Sequence, residues 1–211
     1  MRRFPLLITA AVCLCASGQT PPAEKPPGLP PRLAATDYQA HAQAGNVTIA
    51  ADFTGHSVPL PGETLSTDDY VVVETAFFGP PETRLKLSQE DFSLRVNGKK
   101  TALPNQPFGM VFQSLKNPEL EPPSSAGKSK SSVGTGGGQA ESAPPPVFHL
   151  PPEVKHAMQQ HVQKAALPQG DRGLPLAGLI FFQYRGKAQN IQSLELIYNG
   201  PAGKATLALQ P

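Results

Sequence analysis

Residues 69–78 read DYVVVETAFF, and their reading decides the fold of this chain. The stretch is apolar on both faces apart from Glu74 and Thr75, and Gly79-Pro80-Pro81 ends it. A segment that must bury both faces is a central strand, so the rest of the chain is read as what flanks and covers it.

On the amino-terminal side, Val47, Ile49, Ala51 and Phe53 alternate with Asn46, Thr48, Ala50 and Asp52, the period of a strand. Pro59, Pro61 and Gly62 then mark a loop. Beyond the central stretch, Leu85 and Leu87 alternate with Arg84 and Lys86 to give a strand with one wet face. Phe92, Leu94 and Val96 repeat the alternation. Asn97-Gly98 is a strong tight-turn signal, with a return strand expected near 101–103. Residues 107–115 hold a further apolar run whose type the pattern leaves open. Three more strand signals follow at 176–184, 191–198 and 204–210, separated by Arg185-Gly186-Lys187 and Asn199-Gly200-Pro201. About seven short strands with frequent turns predict a mainly β domain built as an antiparallel sandwich.

Between the two halves lies a different composition. Residues 118–146 are Pro, Ser, Gly and Lys with almost nothing to bury, and are read as a disordered insertion. Residues 151–167 carry the one helical pattern. Pro151 and Pro152 suit a first turn, Glu153 favours the positive helix end, and Pro168 with Gly170 closes it. Val154, Ala157, Met158, Val162 and Ala165 fall on one face, which predicts docking on the chain's own sheet through Met158 and Val162, the alternative being a helix that binds a partner protein.

The amino end is read as an export signal over 1–18. Arg2 and Arg3 precede an apolar run from 4 to 15, too short for the ~20 residues that span a bilayer. Ala16-Ser17-Gly18 then predicts cleavage between Gly18 and Gln19. Both cysteines, Cys13 and Cys15, lie inside this signal, so no disulfide is expected in the mature chain. Of 18 basic residues, Arg2 and Arg3 leave with the signal, so 16 face 16 acids and the mature chain is formally neutral. That gives no electrostatic footprint for nucleic acid. Residues 19–45 are read as a proline-rich tether. Within it, Pro27, Pro30 and Arg32 match the P-x-x-P-x-R spacing of SH3-domain ligands, and the stretch is read instead as a proline-rich spacer. Residues 46–211 are then one domain, exported to the periplasm or beyond.

Several runs together resemble a known group. Tyr70-Val71-Val72-Val73-Glu74, the stretch SQEDFSL at 88–94, LIFF at 179–182 and LELIY at 194–198 are similar to bacterial exported telokin-like domains of unknown function. Those domains have an immunoglobulin fold. The resemblance spans roughly 46–103 and 174–210 and departs at the inserted linker and helix. It implies an immunoglobulin-like sandwich and export, and carries over no catalytic residue.

Candidate chemistry is sparse. Gly127-Lys128-Ser129 resembles the end of a phosphate-binding loop, but Pro122 stands where that motif requires glycine. His156 and His161 are five apart, about 140° around a helix, unlike a zinc pair. His161 is instead placed on the apolar face beside Met158 and Val162, as a core-edge histidine. Asp68, Asp69, Glu74, Glu90 and Asp91 match no calcium loop, and Ser88 with Asp91 is read as a turn device. Phe181 and Phe182 are expected in the core, and Tyr184 and Tyr198 are the candidate binding surface. No metal or cofactor is expected. The function expected is a non-catalytic exported module binding an envelope protein or surface ligand. It would touch a membrane only through an uncleaved signal. The alternative is a small periplasmic enzyme in which His56, Asp68 or Glu74 converge in a loop-built pocket.

Overall fold

A computed structural model describes residues 27–119 and 151–211. The expected export signal, the expected Gly18/Gln19 junction and all of the insertion beyond Glu119 lie outside the described residues, as does Gly127-Lys128-Ser129. The first five strands are β1 (Ala40–Ala44), β2 (Val47–Gly55), β3 (Ser57–Leu60), β4 (Glu63–Thr67) and β5 (Tyr70–Phe78). Then come β6 (Arg84–Leu87), β7 (Phe92–Val96), β8 (Leu103–Gln106), a one-turn helix α1 (Phe108–Val111) and β9 (Leu115–Lys116). Helix α2 (Pro152–Ala165) precedes β10 (Gly170–Gly173), β11 (Leu176–Gln183), β12 (Leu194–Gly200) and β13 (Gly203–Leu209).

Eight strands form one antiparallel ladder in the order β1-β2-β5-β11-β8-β7-β12-β13. Its two ends meet. Gln39 Nε2 donates to the Gln210 carbonyl at 2.9 Å, and the β1–β2 turn at Gly45 presses on the β12–β13 turn. A Cβ on Gly45 would stand 2.5 Å from the Ala202 carbonyl oxygen. The sheet is therefore a nearly closed barrel, and the expected immunoglobulin-like sandwich is corrected. The physical reason is the short strand β8. It pairs with β11 through Asn105 and Gln106, and with β7 through Leu103 and Pro104. One strand thus joins what would otherwise be two stacked sheets.

The tight turn forms as expected. Asn97 (φ 52°) and Gly98 (φ 63°) take the two left-handed positions, and Lys99 N donates to the Val96 carbonyl at 3.1 Å. The return strand starts later than expected, at Leu103. The strand signal at 85–87 is also real, but β6 pairs with β10 in a separate ribbon.

Strand β5 is central, as its composition requires. Inside the barrel, Val71 and Val73 oppose Phe182 and Ile180 of β11. Phe77, Phe92 and Tyr198 fill the interior, with ring centroids 5.4 to 6.0 Å apart in tilted and edge-on pairs. On the outside, Tyr70, Val72, Leu179 and Phe181 are buried under Met158, Val162 and Ala165 of α2. The ribbon β3-β4-β9 extends this cover with Val58 and Leu65. Helix α2 therefore docks on its own sheet. Its stripe is Val154, Met158, Val162 and Ala165, whereas Ala157 is exposed.

A second outer cover comes from residues 27–38. Leu29 bridges to Ala177, Gly28 N donates to the Lys164 carbonyl at 2.8 Å, and Tyr38 packs on Ala50, Ala76 and Ala177. Residues 27–45, assigned to the tether by their prolines, are thus part of the barrel and its covering.

Candidate functional site

Alternation along β2 and β5 sends Asp52 and Glu74 to the outer face, and the register sets them directly opposite each other. Like charges so placed repel. The cation that relieves them is Arg32, delivered by the amino-terminal cover. Its guanidinium pairs with Asp52 and lies 3.4 Å from Glu74. The same group stacks over Tyr38, 4.3 Å from the ring centroid, and Arg32 N donates to the Tyr38 hydroxyl at 3.1 Å. Gln39 N also donates to Asp52. Phe53, Thr54 and Pro59 border the open groove in which these groups sit.

Burial shapes this cluster. The Glu74 side chain is 14% exposed, and burial pushes its carboxyl above the ordinary value. Arg32 opposes that shift and Asp52 adds to it. Burial likewise raises the Tyr38 phenol, against the hydrogen bond from Arg32. The arrangement can hold a proton on a partly desolvated carboxyl and can clamp a peptide segment. Among the described residues no three His, Cys, Asp or Glu gather in a metal-binding geometry.

The residues singled out from the sequence are scattered. His56 stands at the β2–β3 corner, with Nδ1 2.7 Å from the Tyr70 carbonyl and Nε2 2.8 Å from that of Gly186. Asp68 pairs with Lys116 at 2.5 Å, and Glu74 belongs to the Arg32 cluster. His56, Asp68 and Glu74 are each engaged by different partners and do not line one pocket. Tyr198 is 0% exposed inside the barrel, so it forms no surface. Its hydroxyl accepts from Ala202 N at 3.4 Å. Tyr184 is half-buried, its ring stacked on His56 at 6.4 Å. Phe181 and Phe182 are core residues, on opposite faces of β11. His161 is corrected: it is 53% exposed and pairs with Glu63 of β4, clasping the helix to the ribbon. Ser88 and Asp91 cap a short turn, as expected.

Arg32 has no place among the sites expected from the sequence, where its spacing from prolines is its one noted feature. The signal that could have found it is the pair of acids on one outer strand face, which requires a cation from elsewhere. No protein-family model matches this chain, and neither curated proteins nor solved structures provide a match.

Proposed function

We propose that this chain is a non-catalytic exported barrel that acts as a binding or assembly module of the cell envelope. The observation that carries the reading is how the barrel is filled. Phe77, Phe92, Phe182 and Tyr198 occupy the interior where a ligand-carrying barrel would keep a chamber. The charged groups near the covers serve as clasps: Arg32 with Asp52 and Glu74, His161 with Glu63, Lys116 with Asp68. What such a molecule offers is a rigid outer surface. Export rests on the charged, apolar and small-residue pattern of 1–18.

Two measurements test this. Amino-terminal sequencing of protein recovered from the envelope fraction should begin at Gln19, and an intact Met1 in the cytoplasmic fraction overturns export. A photo-crosslinker at Leu33 or Met110, the exposed large apolar side chains among the described residues, should give a discrete adduct with an envelope component. Absence of any adduct from both positions in intact cells removes the binding role.

The catalytic reading has one observation in its favour, the raised Glu74 carboxyl in an open groove beside Arg32. A turnover detected with wild type and abolished in Glu74→Gln, with folding intact, would replace the binding reading.

A further inference from the structure

Both ring nitrogens of His56 face backbone carbonyl oxygens, at 2.7 Å from Tyr70 O and 2.8 Å from Gly186 O. A carbonyl oxygen can only accept. A neutral imidazole has a single N–H, so it can satisfy one of the two, whereas the imidazolium donates to both. We propose that His56 is a proton-dependent latch that closes the β11–β12 loop over one end of the barrel.

The loop is held in two halves. Its near half depends on His56 at Gly186, on the Tyr184 ring stacked on His56, and on Arg185 paired with Asp69 at 3.2 Å. Its far half is pinned independently by Asn97, whose side chain donates to the Asn190 carbonyl at 3.0 Å and accepts from Gln192 N and Ser193 N. Losing the His56 bond to Gly186 therefore loosens 186–189, which carries the Lys187 and Ala188 carbonyls, while 190–193 stays attached.

The charged and titratable groups around the ring do not substitute for the proton. Asp69 and Arg185 pair with each other, Asp68 pairs with Lys116, Lys187 follows Gly186, and the Tyr184 ring stacks on the imidazole. On the β2 side the nearest acid, Asp52, is held by Arg32. The latch is closed when the ring carries its second proton and weakens when that proton is lost, because one of the two carbonyls then faces no donor.

Hydrogen exchange on the full mature chain at pH 5.5 and 8.0, corrected for intrinsic rates, tests this. In wild type, protection of Asn190 and Ile191, whose amides bond back within the loop to Lys187 and Ala188, should fall roughly tenfold at the higher pH. Gln192 and Ser193 should change much less. In His56→Gln, whose donor does not titrate, protection should be the same at both pH values. A His161→Gln control, which removes the histidine paired with Glu63, should behave as wild type. An unchanged wild-type loop, or the same fall in His56→Gln, overturns the latch. If His56→Gln does not fold, the wild-type NMR titration decides. The His56 ring proton and the Gly186 and Lys187 amides should then move with one midpoint, and separate midpoints overturn it.

Discussion

Over Tyr70 to Val73 the inner and outer faces of strand β5 are equally dry and are kept dry by different means. Val71 and Val73 inside, and Val72 between them outside, are all fully buried. The inner face is closed by neighbouring strands of the same ladder, so each side chain there meets the rest of the barrel core. The outer face is closed by pieces from remote parts of the chain: residues 27–38, the β3-β4-β9 ribbon and helix α2. Those pieces bring few apolar side chains each and are finished with polar clasps. Burial alone thus says little about how firmly a face is sealed. A ladder must unravel to expose the interior, whereas a cover can lift by itself.

The largest expected effect lies inside. Phe92→Ala removes a ring that touches both Phe77 and Tyr198, and should destabilise the whole domain by about 3–5 kcal/mol in denaturant unfolding. The outer counterpart is Met158→Ala, expected to cost about 2 kcal/mol because a lifted helix can settle onto the gap. Its signature should be faster hydrogen exchange across α2 before the barrel strands respond. If helix and barrel lose protection together, the two faces form one cooperative unit and the comparison fails.

Removing a clasp should cost less. Arg32 is 37% exposed, so Arg32→Ala is expected to cost about 1 kcal/mol and to make residues 27–38 accessible to limited proteolysis. No gain in cleavage would mean that Tyr38 and Leu29 hold this cover without the charge.

The smallest effect is the most diagnostic. Glu74→Gln should change stability by less than about 0.5 kcal/mol near neutral pH, because burial already disfavours the charged carboxylate. The sign with pH follows from the raised carboxyl. A proton binds Glu74 more tightly in the folded state, so its contribution is fully present below the unfolded value of about 4.3 and is lost as pH rises through the folded one. Thermal unfolding from pH 7 down to pH 4 should therefore show wild type gaining on Glu74→Gln. The reverse trend would mean that the attraction of Arg32 outweighs burial.

Much of the molecule was legible where a local period existed. The alternations at 47–53 and 92–96, the two-faced apolar run at 69–78 and the signal at 191–198, whose strand begins only at Leu194, became barrel strands, and the stripe Val154, Met158, Val162 became the buried face of α2. Strand β1 was not legible, because AHAQA carries no bulky apolar side chain. It forms because β2 presents a ladder edge for Ala40 to Ala44 to pair with. Arg32 was hidden for a related reason, since its partners lie 20 and 42 residues away.

The sequence by itself determined which side chains must leave water, and hence where strands and a helix arise. Only the tertiary structure decided whether those strands stack as two sheets or curl into one barrel. The choice rests on β8, four residues with two paired positions on each side, and on the meeting of Gln39 with Gln210 across almost the whole chain. The period of a strand reports which face is buried and is silent about which neighbour buries it. Sandwich and barrel, which bury the same faces, differ in hydrogen-bond partners alone.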